Sequence, residues 1–195
     1  MPKKRKPVKV TASKLVFKGK VFGVRRDRVI EPGGVRALRE IVVHGGSVVV
    51  LPILPDGRIL LIRQYRYAAG ESLWEIVAGH KEPDEGFLEG AHRELQEETG
   101  YTARHMTELL DFFPSPGLLT ERMVVFLAQG LSGGAARMEQ DERITKRAFT
   151  LGEIDRLLQA RKIRDAKTIA AVLFYARFSL LRKPRPARGR PPVRN

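Results

Sequence analysis

The sequence predicts a mixed α/β domain in which short strands come first, one amphipathic helix lies in the middle, and further strands and helices follow. Up to Gly79 the chain consists of runs rich in Val, Ile and Phe separated by glycines and prolines, as is typical of strands and turns. Beyond Gly79, apolar residues recur every three or four positions, as in a helix that buries one face. The chain has 195 residues, 43% of them apolar, which suffices for one sizeable core.

The strands before the helix are predicted from β-branched and aromatic runs bounded by turn residues. Asp56 and Gly57 lie between two such runs and give the strongest hairpin signal. The predicted strands are Lys14–Phe17, Val21–Ile30, Ala37–Val43, Val48–Ile53, Ile59–Tyr65 and Leu73–Ala78. We expect the earliest of them to form an N-terminal antiparallel strand region.

The central helix is predicted at Phe87–Thr99, with Gly100 as its end signal. Thr150 and Glu153 have the spacing of a capping box, which indicates the start of a later helix. A last helix is expected to end before Pro184. Between the central and later helices, strands are predicted at Met106–Phe113, Met123–Ala128 and around Arg147–Phe149.

The net charge of +14 is concentrated at the two ends of the chain. The first ten residues contain five lysines and arginines, the last fourteen contain six, and neither segment has an acidic residue. We therefore expect basic, disordered tails at residues 1–12 and 182–195 and a single domain at residues 13–181, whose own charge is nearly balanced. The tails could bind nucleic acid, but solvated ends are the simpler expectation.

Several classes of protein are excluded by what the sequence lacks. There is no cysteine, so a disulfide scaffold, a thiolate zinc site and a cysteine nucleophile are impossible. No apolar stretch reaches the roughly 18 residues of a membrane span, and no signal-peptide pattern follows the basic start. A cytoplasmic protein without a membrane partner is the simplest expectation.

Three glutamates share one face of the predicted central helix. Glu94 lies three residues before Glu97 and four before Glu98, so the three carboxylates are neighbours on the helix surface. Like charges at this spacing cost a few tenths of a kcal/mol per pair unless they are neutralised. A magnesium ion would turn that repulsion into binding, because it prefers carboxylate oxygens. From charge alone, a solvated acidic face paired with cations such as Arg93 remains an equally ordinary interpretation.

The wider spacing around this helix decides between the two interpretations. Residues 79–101 resemble the Nudix box, G-x5-E-x7-R-E-U-x-E-E-x-G-U, where U is a bulky apolar residue. A chance match to its seven fixed letters at a given start has a probability of about one in 10⁸. Tyr101 departs mildly, being aromatic at the last U position. The matching residues are Gly79, Glu85, Arg93, Glu94, Leu95, Glu97, Glu98 and Gly100.

The resemblance to the Nudix family implies both a fold and a metal site. The implied fold is an α/β/α sandwich with a mixed β-sheet between helices, preceded here by the N-terminal strand region. The implied cofactor is Mg²⁺, with Mn²⁺ as a substitute. By the same resemblance the metal ligands are Glu94 and Glu98, aided by Glu97 and the Ala78 carbonyl.

Segments outside the box resemble the ADP-ribose pyrophosphatase branch of the family. They are Gln64–Arg66, Trp74–Gly79 and Ser115–Gly117. Pro116, sixteen residues after Gly100, stands where the family has its usual subclass marker for substrate. The resemblance implies a homodimer that hydrolyses ADP-ribose, a nucleotide sugar, to AMP and ribose 5-phosphate. It also implies a phosphate contact for Arg66, a ribose contact for Glu75 and adenine stacking for Arg39, although plain salt bridges or surface roles remain alternatives.

The group that accepts a proton from the attacking water stays open. Glu97 and Glu98 are candidates, and the family often uses an acid in a later loop, where Glu142 is preferred over Glu139. Glu121 is a further candidate for the metal or substrate shell. Two other functions also remain: hydrolysis of other nucleotide derivatives or RNA 5′ ends, and a non-catalytic ADP-ribose sensor that holds nucleic acid.

Overall fold

The computed structural model describes residues 8–133 and 144–179, which contain ten strands and three α-helices. The strands are β1 (Lys9–Lys18), β2 (Gly23–Ile30), β3 (Arg36–Val43), β4 (Ser47–Pro52), β5 (Ile59–Arg66), β6 (Glu71–Glu75), β7 (Val77–His80), β8 (Tyr101–Phe112), β9 (Met123–Gly133) and β10 (Thr145–Phe149). The helices are α1 (Phe87–Thr99), α2 (Leu151–Gln159) and α3 (Ala166–Phe174), which continues into a π-helical turn at Tyr175–Ser179. Within the described residues, no helix is both long and apolar enough to cross a membrane.

The central sheet has the strand order β7-β4-β9-β8, with β4 and β9 parallel and the other neighbours antiparallel. Strand β4 is buried on both faces, so its alternate side chains enter two different apolar cores. The core on the α1 side includes Val48, Val50, Ala91 and Leu95. The core on the α3 side includes Val49, Leu51, Ala171 and Val172. A mixed sheet thus lies between helices, which confirms the predicted α/β/α sandwich.

A second sheet, β10-β5-β6, is antiparallel and lies beside the central one. The prediction of one strand over Leu73–Ala78 is wrong, because the chain leaves this sheet after Glu75 and enters the central sheet at Val77. At the break, the Ile76 backbone N–H donates to Thr168 Oγ1 at 2.9 Å, and this side chain takes the place of a strand partner. The switch carries Glu75 and the start of the Nudix box into different sheets.

The first three strands form a separate antiparallel sheet, β1-β2-β3, which we call the arm. Strand β1 is exposed along its whole length. It begins at Lys9, earlier than the predicted Lys14 and inside the segment assigned to the N-terminal tail. The arm joins the body through β3, where Val42 N–H donates to Leu118 O at 2.8 Å. The predicted tail at residues 182–195 lies outside the described residues.

The ends of the helices follow the local signals. Helix α1 has the predicted bounds, and Gly100 ends it with φ 73°, a left-handed conformation that suits glycine. The capping box before α2 is confirmed: Thr150 N–H donates to the Glu153 carboxylate at 2.8 Å, and Glu153 N–H donates to Thr150 Oγ1 at 3.2 Å. Asp165 caps α3 by accepting from Thr168 N–H at 2.9 Å.

Candidate active site

A cavity of about 470 Å³ lies where β7, the loop before α1, and the first turn of α3 meet. We call it the cleft. Carboxylates from α1 and the preceding loop line it together with one cation of α1 and three cations from other parts of the chain. The carboxylates are Glu82, Glu94, Glu97 and Glu98, and the cations are Lys20, Arg66, Arg93 and Lys167.

Arg93 organises the acidic wall of the cleft. Its guanidinium donates to Glu94 at 2.7 Å and to Glu97 at 2.9 Å. From the loop, Glu85 holds the same guanidinium through contacts of 3.1 and 2.8 Å. The Glu85 hydrogen bond is the main cause that raises the pKa of Arg93, and in return Arg93 holds the pKa of Glu85 below its ordinary value. The box arginine therefore stays charged and favours the ionised form of Glu85.

Gly79 lets the Glu94 carboxylate lie against the backbone of β7. A Cβ atom at Gly79 would stand 1.8 Å from Glu94 Oε1, far closer than any van der Waals contact. Next to it, the buried Glu98 accepts from Ala78 N–H at 3.3 Å. Gly79 and the glutamates of the Nudix box are thus packed together, with the carboxylates of Glu94 and Glu98 against the backbone of β7.

The donor set at this place fits a divalent magnesium or manganese ion. Among the described residues, no three acidic or histidine side chains stand close enough together to hold a metal without rearrangement. The chemistry nevertheless suits a hard cation, since Glu94, Glu97 and Glu98 offer carboxylate oxygens next to the backbone of Ala78. One arginine faces three carboxylates here, so this wall has negative charge in excess. Magnesium also keeps several waters, so it does not need a cage made by the protein alone.

Arg66 also lines the cleft, where it is held by a buried carboxylate. Its Nε and one terminal nitrogen donate to the two oxygens of Glu75, each at 2.8 Å. Lys167 donates to Glu75 and to Asp165, the latter at 2.9 Å. Burial alone would raise the pKa of Glu75, but Arg66 and Lys167 outweigh it and hold that pKa below the ordinary value.

The burial of Glu75 favours a salt bridge over the ribose contact that the resemblance implies. Glu75 is only 1% exposed, and Arg66 and Lys167 occupy both of its oxygens. A ribose hydroxyl could not reach it in this arrangement. The geometry instead fits a residue that anchors Arg66, whose side chain is 38% exposed and borders the cleft.

The other predicted site residues that the structure describes do not line the cleft. Arg39 is exposed on β3 of the arm, where it pairs with Glu31, and it does not line the cleft of its own chain. Pro116 lies in the loop between β8 and β9, also away from the cleft lining. Glu139 and Glu142 lie outside the described residues. Glu121 accepts a hydrogen bond from Ser47, which does line the cleft.

Two cations of the cleft lining were not predicted from the sequence. Lys167 stands in the first turn of α3, where a cation opposes the helix dipole unless acids pair with it. That conflict, next to the Asp165 cap, was a signal that could have drawn attention to it. Lys20 lies in the turn between β1 and β2, and nothing in the sequence marks it as close to the Nudix box.

Comparisons with known proteins agree with this geometry. A profile of the NUDIX domain matches residues 43–172. The chain is 37% identical over 168 residues to an ADP-ribose pyrophosphatase of Bacillus subtilis (strain 168), and 36% identical over 168 residues to a methanol dehydrogenase activator of Bacillus methanolicus. Each match covers 85% of this chain and 91% of the relative. A crystal structure of an ADP compounds hydrolase superposes with a TM-score of 0.78 at 23% identity, covering 89% of this chain and 95% of that one. The chain therefore belongs to the Nudix family.

Proposed function

We propose that this protein is an ADP-ribose pyrophosphatase, a hydrolase that cleaves the diphosphate of ADP-ribose to AMP and ribose 5-phosphate with the help of Mg²⁺. The observation that carries the proposal is that an acidic wall on α1 and the anchored guanidinium of Arg66 line one cleft. The first suits a divalent cation, and the second suits a phosphate. The similarity to the ADP-ribose pyrophosphatase of Bacillus subtilis supports ADP-ribose as the substrate.

In this mechanism the cleft places a diphosphate between Arg66 and the box glutamates. Nε and Nη2 of Arg66 each direct one N–H at Glu75, so both N–H groups of Nη1 and the second N–H of Nη2 are left to donate to phosphate oxygens. Glu94 and Glu98, aided by Glu97 and the Ala78 carbonyl, would hold Mg²⁺ or Mn²⁺. When bound, the metal neutralises charge on the phosphoryl oxygens.

Water then attacks one phosphorus, and the bond from that phosphorus to the bridging oxygen breaks. A carboxylate must accept the proton of the water, a contribution of roughly 10²–10⁴-fold. Glu97 suits this role because its side chain is 44% exposed, against 12% for Glu94. Glu142 and Glu139 remain alternative acceptors.

The first test is hydrolysis of a substrate panel. ADP-ribose, other nucleotide sugars, dinucleoside polyphosphates, nucleoside triphosphates and RNA with a 5′ triphosphate are each incubated with Mg²⁺ and then with chelator. We expect ADP-ribose to lead by about tenfold in kcat/KM, which corresponds to about 1.4 kcal/mol, and chelator to stop the reaction. Faster cleavage of the RNA would favour an RNA hydrolase, and absence of any turnover would favour a non-catalytic sensor.

We also propose that the protein is a homodimer in which the arm of one chain reaches the cleft of the other. The arm exposes large apolar side chains, including Val10, Leu15 and Phe17, each between 51% and 54% exposed. Large apolar side chains exposed on one small sheet indicate that another protein surface covers them. In a dimer of this kind Arg39 would stack on adenine in the partner's cleft, a place it does not reach in its own chain.

The dimer is tested by light scattering coupled to size exclusion. We expect a mass of twice the 22.0 kDa chain, and Leu15→Lys should shift it to a single chain because it puts a charge into the covered surface. Lys14→Ser, a change at the exposed neighbouring position, is the control and should leave the dimer intact. A wild-type protein that elutes with the mass of one chain at all concentrations would contradict the proposal.

A further inference from the structure

A second cavity, of about 540 Å³, lies where the end of α2 and the α2–α3 connection meet the β5–β6 hairpin. We call it the basic pocket. It shares no lining residue with the cleft. The side chains that matter here are Arg63, Glu71, Trp74, Arg161, Lys162 and Arg164.

The basic pocket carries more positive than negative charge. Its four cations face one carboxylate, Glu71, which forms a salt bridge with Arg164. Within the part of the chain that the structure describes, the other three, Arg63, Arg161 and Lys162, form no salt bridge. Because cations repel one another at close range, a concave surface with this balance favours an anion from solution.

Aromatic and cationic groups meet at one wall of the basic pocket. The guanidinium of Arg63 lies 6.0 Å from the centre of the half-buried Trp74 ring. Trp74 also meets the buried Phe149 edge to face at 5.0 Å, which packs the indole against the body of the domain. The wall is therefore a rigid apolar plane with a planar donor group above it.

The backbone at Arg161 supports a role for its side chain. Arg161 has φ 55°, in the left-handed region, and Arg161 N–H and Lys162 N–H close the end of α2 by donating to carbonyl oxygens of its last turn, at 3.0 and 2.8 Å. Glycine is the usual residue at such a helix end. An arginine there is strained, and residues kept in strained conformations cluster at functional sites. Arg161 and its neighbour Lys162 both line the basic pocket.

We propose that the basic pocket binds a phosphomonoester dianion. Three cations without acidic partners match a group with two negative charges, and the planar donors of arginine match its oxygens. The concave shape favours a small anion over the backbone of a nucleic acid. The sources of this chemistry are inorganic phosphate, a sugar phosphate and a nucleoside monophosphate. The inference does not depend on the proposed hydrolysis, because it concerns a separate cavity.

The chain offers a built-in reporter for the test, since Trp74 is its only tryptophan. Intrinsic fluorescence is followed while phosphate, ribose 5-phosphate or AMP is added in chelator, at constant ionic strength set with chloride. We expect a saturable change with phosphate. Tighter binding of ribose 5-phosphate than of phosphate would show that the sugar adds contacts, and tighter binding of AMP would show that the base does.

The decisive variant replaces two cations of the rim, Arg161→Gly with Lys162→Ala. Glycine relieves the left-handed conformation, so the melting temperature should not fall. Binding followed through Trp74 should weaken by at least about tenfold, while ADP-ribose hydrolysis remains as in the wild type. Arg63 is left in place because its change would alter the fluorescence of Trp74 directly.

Arg156→Ala is the matched control, since it removes an exposed cation of α2 that does not line the basic pocket. It should leave the titrations unchanged. The proposal is overturned if wild-type fluorescence shows no saturable response to any of the three anions. It is equally overturned if the double variant binds them as well as the wild type, or if an oligonucleotide binds the pocket more tightly than every small anion. A protein without hydrolytic activity that passes this test would fail only the proposed function.

Discussion

Glu98→Gln is expected to lower kcat for ADP-ribose by at least about 10²-fold while the domain stays folded. Glu98 is buried at 3% exposure, and it accepts from the Ala78 N–H of the box strand. Glutamine has the same shape and can keep this hydrogen bond through its amide oxygen. It lacks the negative charge that the proposed metal site requires. Steady-state kinetics over a range of Mg²⁺ concentrations, together with thermal unfolding, measure both effects.

Glu89→Gln is the control for this prediction. Glu89 lies on the same helix, and its carboxylate accepts from Gly86 N–H at 2.7 Å as part of the helix cap. Glutamine serves at this position of a capping box, so activity and stability should both stay close to the wild type. If Glu98→Gln kept its full activity, the assigned helix face would be wrong. A variant that lost activity only because it unfolded would be recognised by its melting temperature.

The part of the site that sequence predicted well is local in the chain. Helix α1, its glycine end and the contacts of Arg93 with Glu85 and Glu94 all lie within one stretch, where spacing along the chain fixes spacing in space. The sandwich fold and the family followed from the same stretch. Substrate-site assignments outside it, such as Arg39 and Pro116, rested on resemblance alone and stay predictions.

What sequence did not predict depends on contacts between distant segments. The split of one apolar run at Ile76 follows from a hydrogen bond to Thr168, 92 residues later, and no local pattern records it. The same separation applies to Lys167, whose ammonium reaches Glu75 of β6 from α3. Burial then favours the salt bridge that was left open for Glu75 beside the ribose contact, because its carboxylate is buried and accepts from Arg66 and Lys167.

That salt bridge is the basis of the second large effect: Glu75→Gln should lower the free energy of unfolding by about 3 kcal/mol at neutral pH. The substitution keeps the shape but leaves Arg66 and the buried Lys167 without their shared carboxylate. Arg66 should then lose its fixed orientation, and KM for ADP-ribose should rise by about tenfold, or about 1.4 kcal/mol, with a smaller change in kcat. Denaturant unfolding and steady-state kinetics measure the two quantities.

Acid provides an independent check on the same residue. The pKa of Glu75 in the folded protein lies below its ordinary value of 4.5, so its ionised form stabilises the fold above that pH. This contribution is lost as the pH falls from 4.5 through the lowered pKa, because over that range the unfolded chain binds the proton more readily than the folded protein does. The stability difference between wild type and Glu75→Gln should therefore be full at neutral pH and shrink at pH values below about 4.5.

Glu71→Gln is the matched control, since Glu71 lies on the same strand and also pairs with an arginine, but at the surface. A partly exposed pair of this kind is worth only about 0–1 kcal/mol. If both variants lost equally little stability and KM did not move, the network around Glu75 would not be the anchor of Arg66. If stability fell but KM stayed constant, the network would hold the fold alone, and the phosphate contact would belong to another cation of the cleft, with Lys20 the first to test.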